Sequence, residues 1–202
     1  VITNGYATLA EVKSAARILD AVDDALLETA IETASRMVDG YCERRFFTNG
    51  TETRTYAPSD YFTLEVDDIA TSTITLATSS TLDQTYDVTW SASDFQTHPL
   101  NATVSGIAAP ITKIRATGTY LFTPYRGEAT AQVTAVFGYG TAVPTQIKHA
   151  TMLLAMRQFK RYDSPTGVIG FGDFGPVRVG TRLDPDVAMI LNPFRKSAVG
   201  VA

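Results

Sequence analysis

A single cysteine, Cys42, stands among 202 residues, so no disulfide can form within the chain. A lone thiol suits a protein folded in a reducing cytosol. Histidine is almost as scarce, at His98 and His149. Neither has a Cys, Asp or Glu at ligand spacing on a recognisable element, so the raw material of a metal centre is missing. A serine nucleophile would need a base and an acid brought together by folding, and no G-x-S-x-G stretch announces one. No apolar run approaches the roughly 20 residues that span a bilayer. The opening VITNGYATLA also lacks the basic-then-apolar pattern of a secretory signal. The expectation is a soluble, unexported protein with no catalytic residues, no metal, no cofactor and no membrane partner. Bases are outnumbered by acids, 17 to 21, for a net charge of −4. That balance argues against a general nucleic-acid-binding surface, which needs clustered Lys and Arg.

What is present is the composition of a folded protein, with 45% hydrophobic and 19% charged residues. The charge is unevenly spread. Residues 1–43 hold eight acids and three bases, residues 44–143 nine and six, and residues 144–202 four and eight. An acidic start and a basic end can attract one another, within a chain or between neighbouring copies, or be unrelated solvated surfaces.

The hydrophobic pattern divides the chain in three. In 1–43, Thr8-Leu9-Ala10-Glu11 has the form of a capping box opening a short helix over about 8–19. Asp23 is placed to cap a second helix. There Leu27, Ile31, Ala34, Val38 and Tyr41 recur at three- and four-residue steps. Together these predict a helical hairpin. Residues 44–143 carry 21 threonines, interleaved with aromatics and punctuated by turn residues. Six segments favour strands: 51–57, 61–66, 72–77, 85–90, 111–117 and 130–137. This predicts a β-rich insertion, a sandwich or small barrel. A carbohydrate-binding or adhesion module is the rival reading of the insertion, but no cluster of exposed Trp or Tyr stands out. The sequons at Asn49 and Asn101 read as chance matches in a Thr-rich segment.

Helical pattern resumes in 144–202. Pro144 suits a first helical position, and Ile147, Ala150, Leu154 and Arg157 follow one line until Pro165 stops the helix. A glycine-rich loop occupies 167–180. Asp184-Pro185-Asp186 then opens a last short helix ended by Asn192-Pro193, and 193–202 forms an apolar and basic tail. The expected class is α+β, with terminal helices in a small bundle and the β-rich insertion between them.

Within the loop, GFGDFG (170–175) has the G-x-G-x-x-G spacing of dinucleotide-binding loops and the D-F-G triplet of kinases. A phosphate loop needs a strand before it and a helix beginning at its last glycine. Here a helix precedes it and the extended PVRVG follows. The kinase triplet needs an H-R-D catalytic loop, and none is present. The glycines are therefore read as freeing an unusual backbone path, with Phe171, Phe174 and Val177 as its apolar anchors.

The flanking helical segments resemble the head–tail connector (adaptor) family of tailed bacteriophages. One half of the resemblance runs from YATLAEVKSAARI to an aromatic-Cys-x-x-Arg ending at Tyr41-Cys42 and Arg45. The other holds a Val-Pro helix start, a Lys/Arg-rich helix end, Ser164-Pro165-x-Gly167-Val168 and Asp184-Pro185-Asp186-Val187 followed by Leu191-x-Pro193-Phe194-Arg195. More loosely, WSASDFQTHPLNA and the Phe-Gly-Tyr-Gly exit resemble the β domain of actinophage-type members.

The resemblance implies a non-enzymatic virion protein at the head–tail interface, assembled in the host cytoplasm. It implies a ring of roughly twelve copies beneath the portal that extends the DNA channel and docks the stopper or tail-terminator protein. Packaged double-stranded DNA would pass without sequence-specific binding. The basic third supplies the expected subunit or portal contacts: Arg157, Lys160, Arg161, Arg178 and Arg182, with Phe171 and Phe174 in the loop and Phe194, Arg195 and Lys196 in the tail.

Overall fold

The computed structural model describes residues 2–100, 109–163, 168–171, 175–178 and 184–196. The chain forms two compact units: one joins Val1–Arg44 to Val143–Ala202, and the other is Arg45–Ala142. The class is α+β, with helices from both ends of the chain and a β-rich middle.

The described residues of the first unit include four α-helices. In α1 (Leu9–Ala16) the Thr8 hydroxyl accepts the Glu11 N–H, and the Glu11 carboxylate accepts the Thr8 N–H, completing the capping box. The helix stops about three residues short of the expected end. Arg17 turns left-handed (φ 58°), and Lys13 donates to the Asp20 carbonyl and pairs with Asp24, closing 17–24 into a tight turn. α2 (Asp24–Cys42) buries Leu27, Ala30, Ile31, Ala34, Ser35, Val38 and Cys42. Asp23 stands at its N-cap, but its side chain makes no capping bond.

α3 (Thr145–Asp163) buries Ile147, Ala150, Thr151, Leu154 and Ala155 and packs on α2. The two run antiparallel, with Gln158 donating to the Met37 sulfur. Pro144 lies just outside α3, where its carbonyl accepts the Lys148 N–H. α4 (Pro185–Leu191) buries Val187 and Leu191, and a short 3-10 turn, Asn192–Phe194, follows.

The N-terminal segment lies along α2. Ser35 accepts the Tyr6 N–H while donating to the Ile31 carbonyl, the Tyr6 hydroxyl donates to Asp39, and Arg36 donates to the Asn4 carbonyl. Lys148 of α3 reaches Glu11 of α1 at 2.8 Å. Segments on either side of the β unit in sequence are thus tied together.

Among the described residues, seven strands make the second unit: β1 (Thr51–Tyr56), β2 (Thr63–Ile69), β3 (Thr75–Thr78), β4 (Val88–Thr89), β5 (Phe95–His98), β6 (Ile111–Ala116) and β7 (Ala131–Val136). They form two antiparallel sheets, ordered β1-β7-β3-β4 and β2-β6-β5, which do not close into a barrel. Alternation does the sorting. In β7, Ala131, Val133 and Ala135 point inward, joining Leu64, Val66, Ile69, Leu76, Ile114 and Phe122 in one core. Threonines take the outer face, where Thr53 and Thr134 lie opposite one another with hydroxyls 2.7 Å apart. β5 is the strand that the sequence reading missed. FQTH has one large apolar residue and no alternation to flag it, and its pairing with β6 comes from tertiary context.

The β unit begins and ends at the same place. The Tyr139 N–H donates to the Arg45 carbonyl, and the Phe46 and Tyr139 rings lie 5.1 Å apart. Gly138 between them sits at φ 140°, and a Cβ there would meet the Phe47 carbonyl at 2.6 Å. Only glycine fits the Phe-Gly-Tyr-Gly exit.

The third paired element is a hairpin. β8 (Val168–Phe171) and β9 (Gly175–Arg178) pair antiparallel, with Val168 opposite Arg178 and Phe171 opposite Gly175. The glycine-rich stretch expected to be an extended loop contains two short strands instead.

Two outcomes test these assignments. Gly138→Ala should cost on the order of 2 kcal/mol or more of unfolding free energy, since both backbone strain and a clash act there. Glu11 is lowered from its ordinary 4.5 to about 2, chiefly by the hydrogen bond from Lys148. A depressed carboxylate stabilises the fold above its unfolded value and loses that contribution as pH falls toward its folded one. Lys148→Met should therefore destabilise the protein at neutral pH by about 0.5–1 kcal/mol, small because both partners are partly exposed. Urea unfolding along a pH series should show the difference fading between pH 4.5 and about 2.

Candidate functional site

Of GFGDFG, residues 170, 171 and 175 are described, and they lie in paired strands. The segment that follows Gly175 is the return strand β9, not a helix. Among the described residues, no helix N-terminus aims its N–H groups at a phosphate there. Among the described residues no group of His, Cys, Asp or Glu could hold a metal ion. Cys42 is buried, and burial together with the nearby Asp39 charge pushes its thiol up to about 11, away from nucleophile chemistry.

Cys42 instead belongs to a clasp. The last turn of α2 leaves carbonyls without intrahelical partners, and the Lys196 N–H donates to the Cys42 carbonyl at 2.8 Å. The Cys42 thiol points at the Leu191 carbonyl (3.9 Å), and the Tyr41 hydroxyl donates to Asn192 Oδ1 at 2.7 Å. Arg195 lies over the Tyr41 ring at 5.2 Å, a cation–π contact, and Phe194 is buried. The aromatic-Cys segment and the Leu-x-Pro-Phe-Arg segment, about 150 positions apart in sequence, are therefore one spatial unit. Sequence reasoning quoted both motifs but had no signal that they touch.

This clasp redistributes the expected contact residues. Phe194 is only 3% exposed in the chain, so the protein itself covers its side chain. Arg195 and Lys196 are exposed, but their segment is fastened to the end of α2 rather than hanging as a tail. Arg157 pairs with Asp184 at 2.9 Å, fixing the start of α4 to α3. Lys160 and Arg161 stay exposed at the end of α3. Arg178 closes β9, opposite Val168, and Phe171 closes β8. Phe174, Arg182 and the segment 197–202 lie outside the described residues.

Two exposed surfaces escaped the sequence reading. In the β unit, Tyr61, Phe62, Tyr120 and Leu121 are largely exposed and share one end, brought together as the Phe122 N–H donates to the Tyr61 carbonyl. Tyr120 stacks on Trp90 at 5.6 Å. The expectation that no exposed aromatics cluster is corrected here. In the helical unit, Leu19 and Val22 project from the α1–α2 turn at 98% and 86% exposure. Only a pairing pattern or a measured exposure finds such residues, because single apolar side chains in loops carry no periodicity.

A helical bundle drawn from both ends of the chain, an inserted β unit and an internal clasp define a structural scaffold. Three solved structures share the fold over 100% of this chain and 95% of theirs. One is from the neck of an empty gene transfer agent particle computed with C6 symmetry (TM-score 0.57, 17% identity). The others are from the neck of the native particle computed with C12 symmetry (0.55, 18%) and from the native virion (0.54, 17%). No curated protein matches the chain. The sequence model of the family described as "Phage gp6-like head-tail connector protein" matches residues 6–98. Over that stretch, a little under half of its length, the chain is similar to phage head–tail connector proteins.

If Phe194 is core, Phe194→Ala should lower stability by about 3–5 kcal/mol. Thermal unfolding of the isolated chain would register it, whereas a residue reserved for a partner would leave the melting point unmoved.

Proposed function

We propose that this chain forms a ring of about twelve copies in the neck of a virion, beneath the portal. The ring extends the DNA channel and offers its far side to the stopper or tail-terminator protein. The observation that carries this reading is the full-length likeness to a chain in a neck computed with C12 symmetry. A closed ring needs one heterologous contact repeated around an axis. The acidic first segment and basic last segment supply unlike surfaces for such a contact. A net charge of −4 suits a channel through which a duplex slides without sticking. Assembly takes place in the host cytoplasm and the product resides at the head–tail interface.

The exposed aromatic end of the β unit is what a carbohydrate-binding module would use, so a glycan array with the full chain separates that alternative. The direct test mixes purified chain with purified portal rings, followed by co-sedimentation and rotational averaging of particle images. Cyclic density on the portal is expected, and Arg178→Glu with Arg182→Glu should reduce co-sedimentation at least tenfold. Glycan binding without portal binding would replace this reading with the carbohydrate one.

A further inference from the structure

The α1–α2 turn is rigid and yet presents apolar side chains to water. Lys13 holds it from inside, donating to the Asp20 carbonyl and pairing with Asp24. The Val22 N–H donates to Asp20 Oδ1 and the Asp24 N–H to the Ala21 carbonyl. From this frame Leu19 and Val22 project almost fully exposed, with Asp20 and Asp23 beside them. Scattered exposed apolar residues need no explanation. Two aliphatic side chains held out by a preorganised turn and flanked by acids have the form of a plug.

A socket of matching character lies between α2 and α3. A groove of about 270 Å³ is lined by Ala30, Thr33, Gln158, Arg161 and Tyr162. Met37 beside it is 40% exposed and Tyr162 is 54% exposed. Ala30 gives an apolar floor, and Tyr, Met and Arg are the residue types enriched at interface cores. Arg161 at the wall and Lys160 next to it are exposed, with no ion pair among the described residues. The volume has room for one or two aliphatic side chains.

We infer that the α1–α2 turn of one copy seats Leu19 and Val22 in the α2–α3 groove of the next, with Asp20 and Asp23 facing Arg161 and Lys160. The occupant is a second copy of this chain because plug and socket are opposite in charge and both belong to every copy. Plug and socket are different surfaces, so the contact is heterologous and propagates from copy to copy until it closes. Each copy is held on two sides. The inference rests on the ring reading and adds the surfaces that build it.

Disulfide trapping tests it on the full chain. Val22→Cys and Thr33→Cys lie eleven positions apart, about 16 Å along a helix, too far for a bridge within one copy. Cys42 stays buried and does not compete. Under mild oxidation of concentrated protein, the double variant should give a ladder of covalent multimers that neither single variant gives. Asp20→Lys with Asp23→Lys should weaken self-association in sedimentation velocity at least tenfold, and adding Arg161→Glu should restore part of it. Asp23 makes no capping bond, whereas Asp20 accepts the Val22 N–H, so Asp23→Lys alone, with an unchanged melting curve, serves as the folding control. Oligomers that form without a ladder would overturn this contact and leave the ring intact. A chain that stays monomeric with no ladder at any concentration overturns the contact, and portal co-sedimentation then decides the ring separately.

Discussion

The apolar seam between α2 and α3 is the interaction on which the helical unit depends. Neither helix has a complete core of its own: α2 buries one stripe and α3 another, and each needs the other to exclude water. The two helices are separated by the entire β unit in sequence, so the seam closes a long loop. Loop closure grows only slowly with length, which makes such a closure tolerable once enough apolar surface is buried. The Glu11–Lys148 pair and the Cys42–Lys196 backbone bond then fix angle and register. Weak polar contacts of this kind add little energy but remove alternatives.

Much of this was legible. The capping box at Thr8 and Glu11, the stripe Leu27–Ile31–Ala34–Val38 and the line Ile147–Ala150–Leu154 are local signals, and local physics decided them. Five of the six expected strand segments differ from the observed strands by a few residues at an end, and TYDVTW shrank to Val88–Thr89. The failures share a cause. β5 and the β8–β9 pairing depend on partners outside their own segments. No period within the segment encodes them.

The expected contact residues differ in what surrounds them. Charge clustering located a basic region but could not tell a cation with an internal partner from a free one. Arg157 has Asp184 and Arg195 has the Tyr41 ring, whereas Lys160 and Arg161 remain exposed. Motif matching did better than it could explain. The two family-like segments are the two sides of one clasp, so their joint presence reflects a physical requirement to cap the end of α2.

The meeting of the β unit's two ends at Arg45 and Tyr139 has a consequence for descent. A module that leaves and re-enters at one point makes no demand on the length or content of the chain between. Strands could be added, trimmed or exchanged wholesale there while the pinch of Phe46, Gly138 and Tyr139 is kept. Lineages that share the helical frame would then be free to differ most in the middle of the chain. In such proteins the glycine at the exit would be held by its own backbone geometry, whatever sheets it closes.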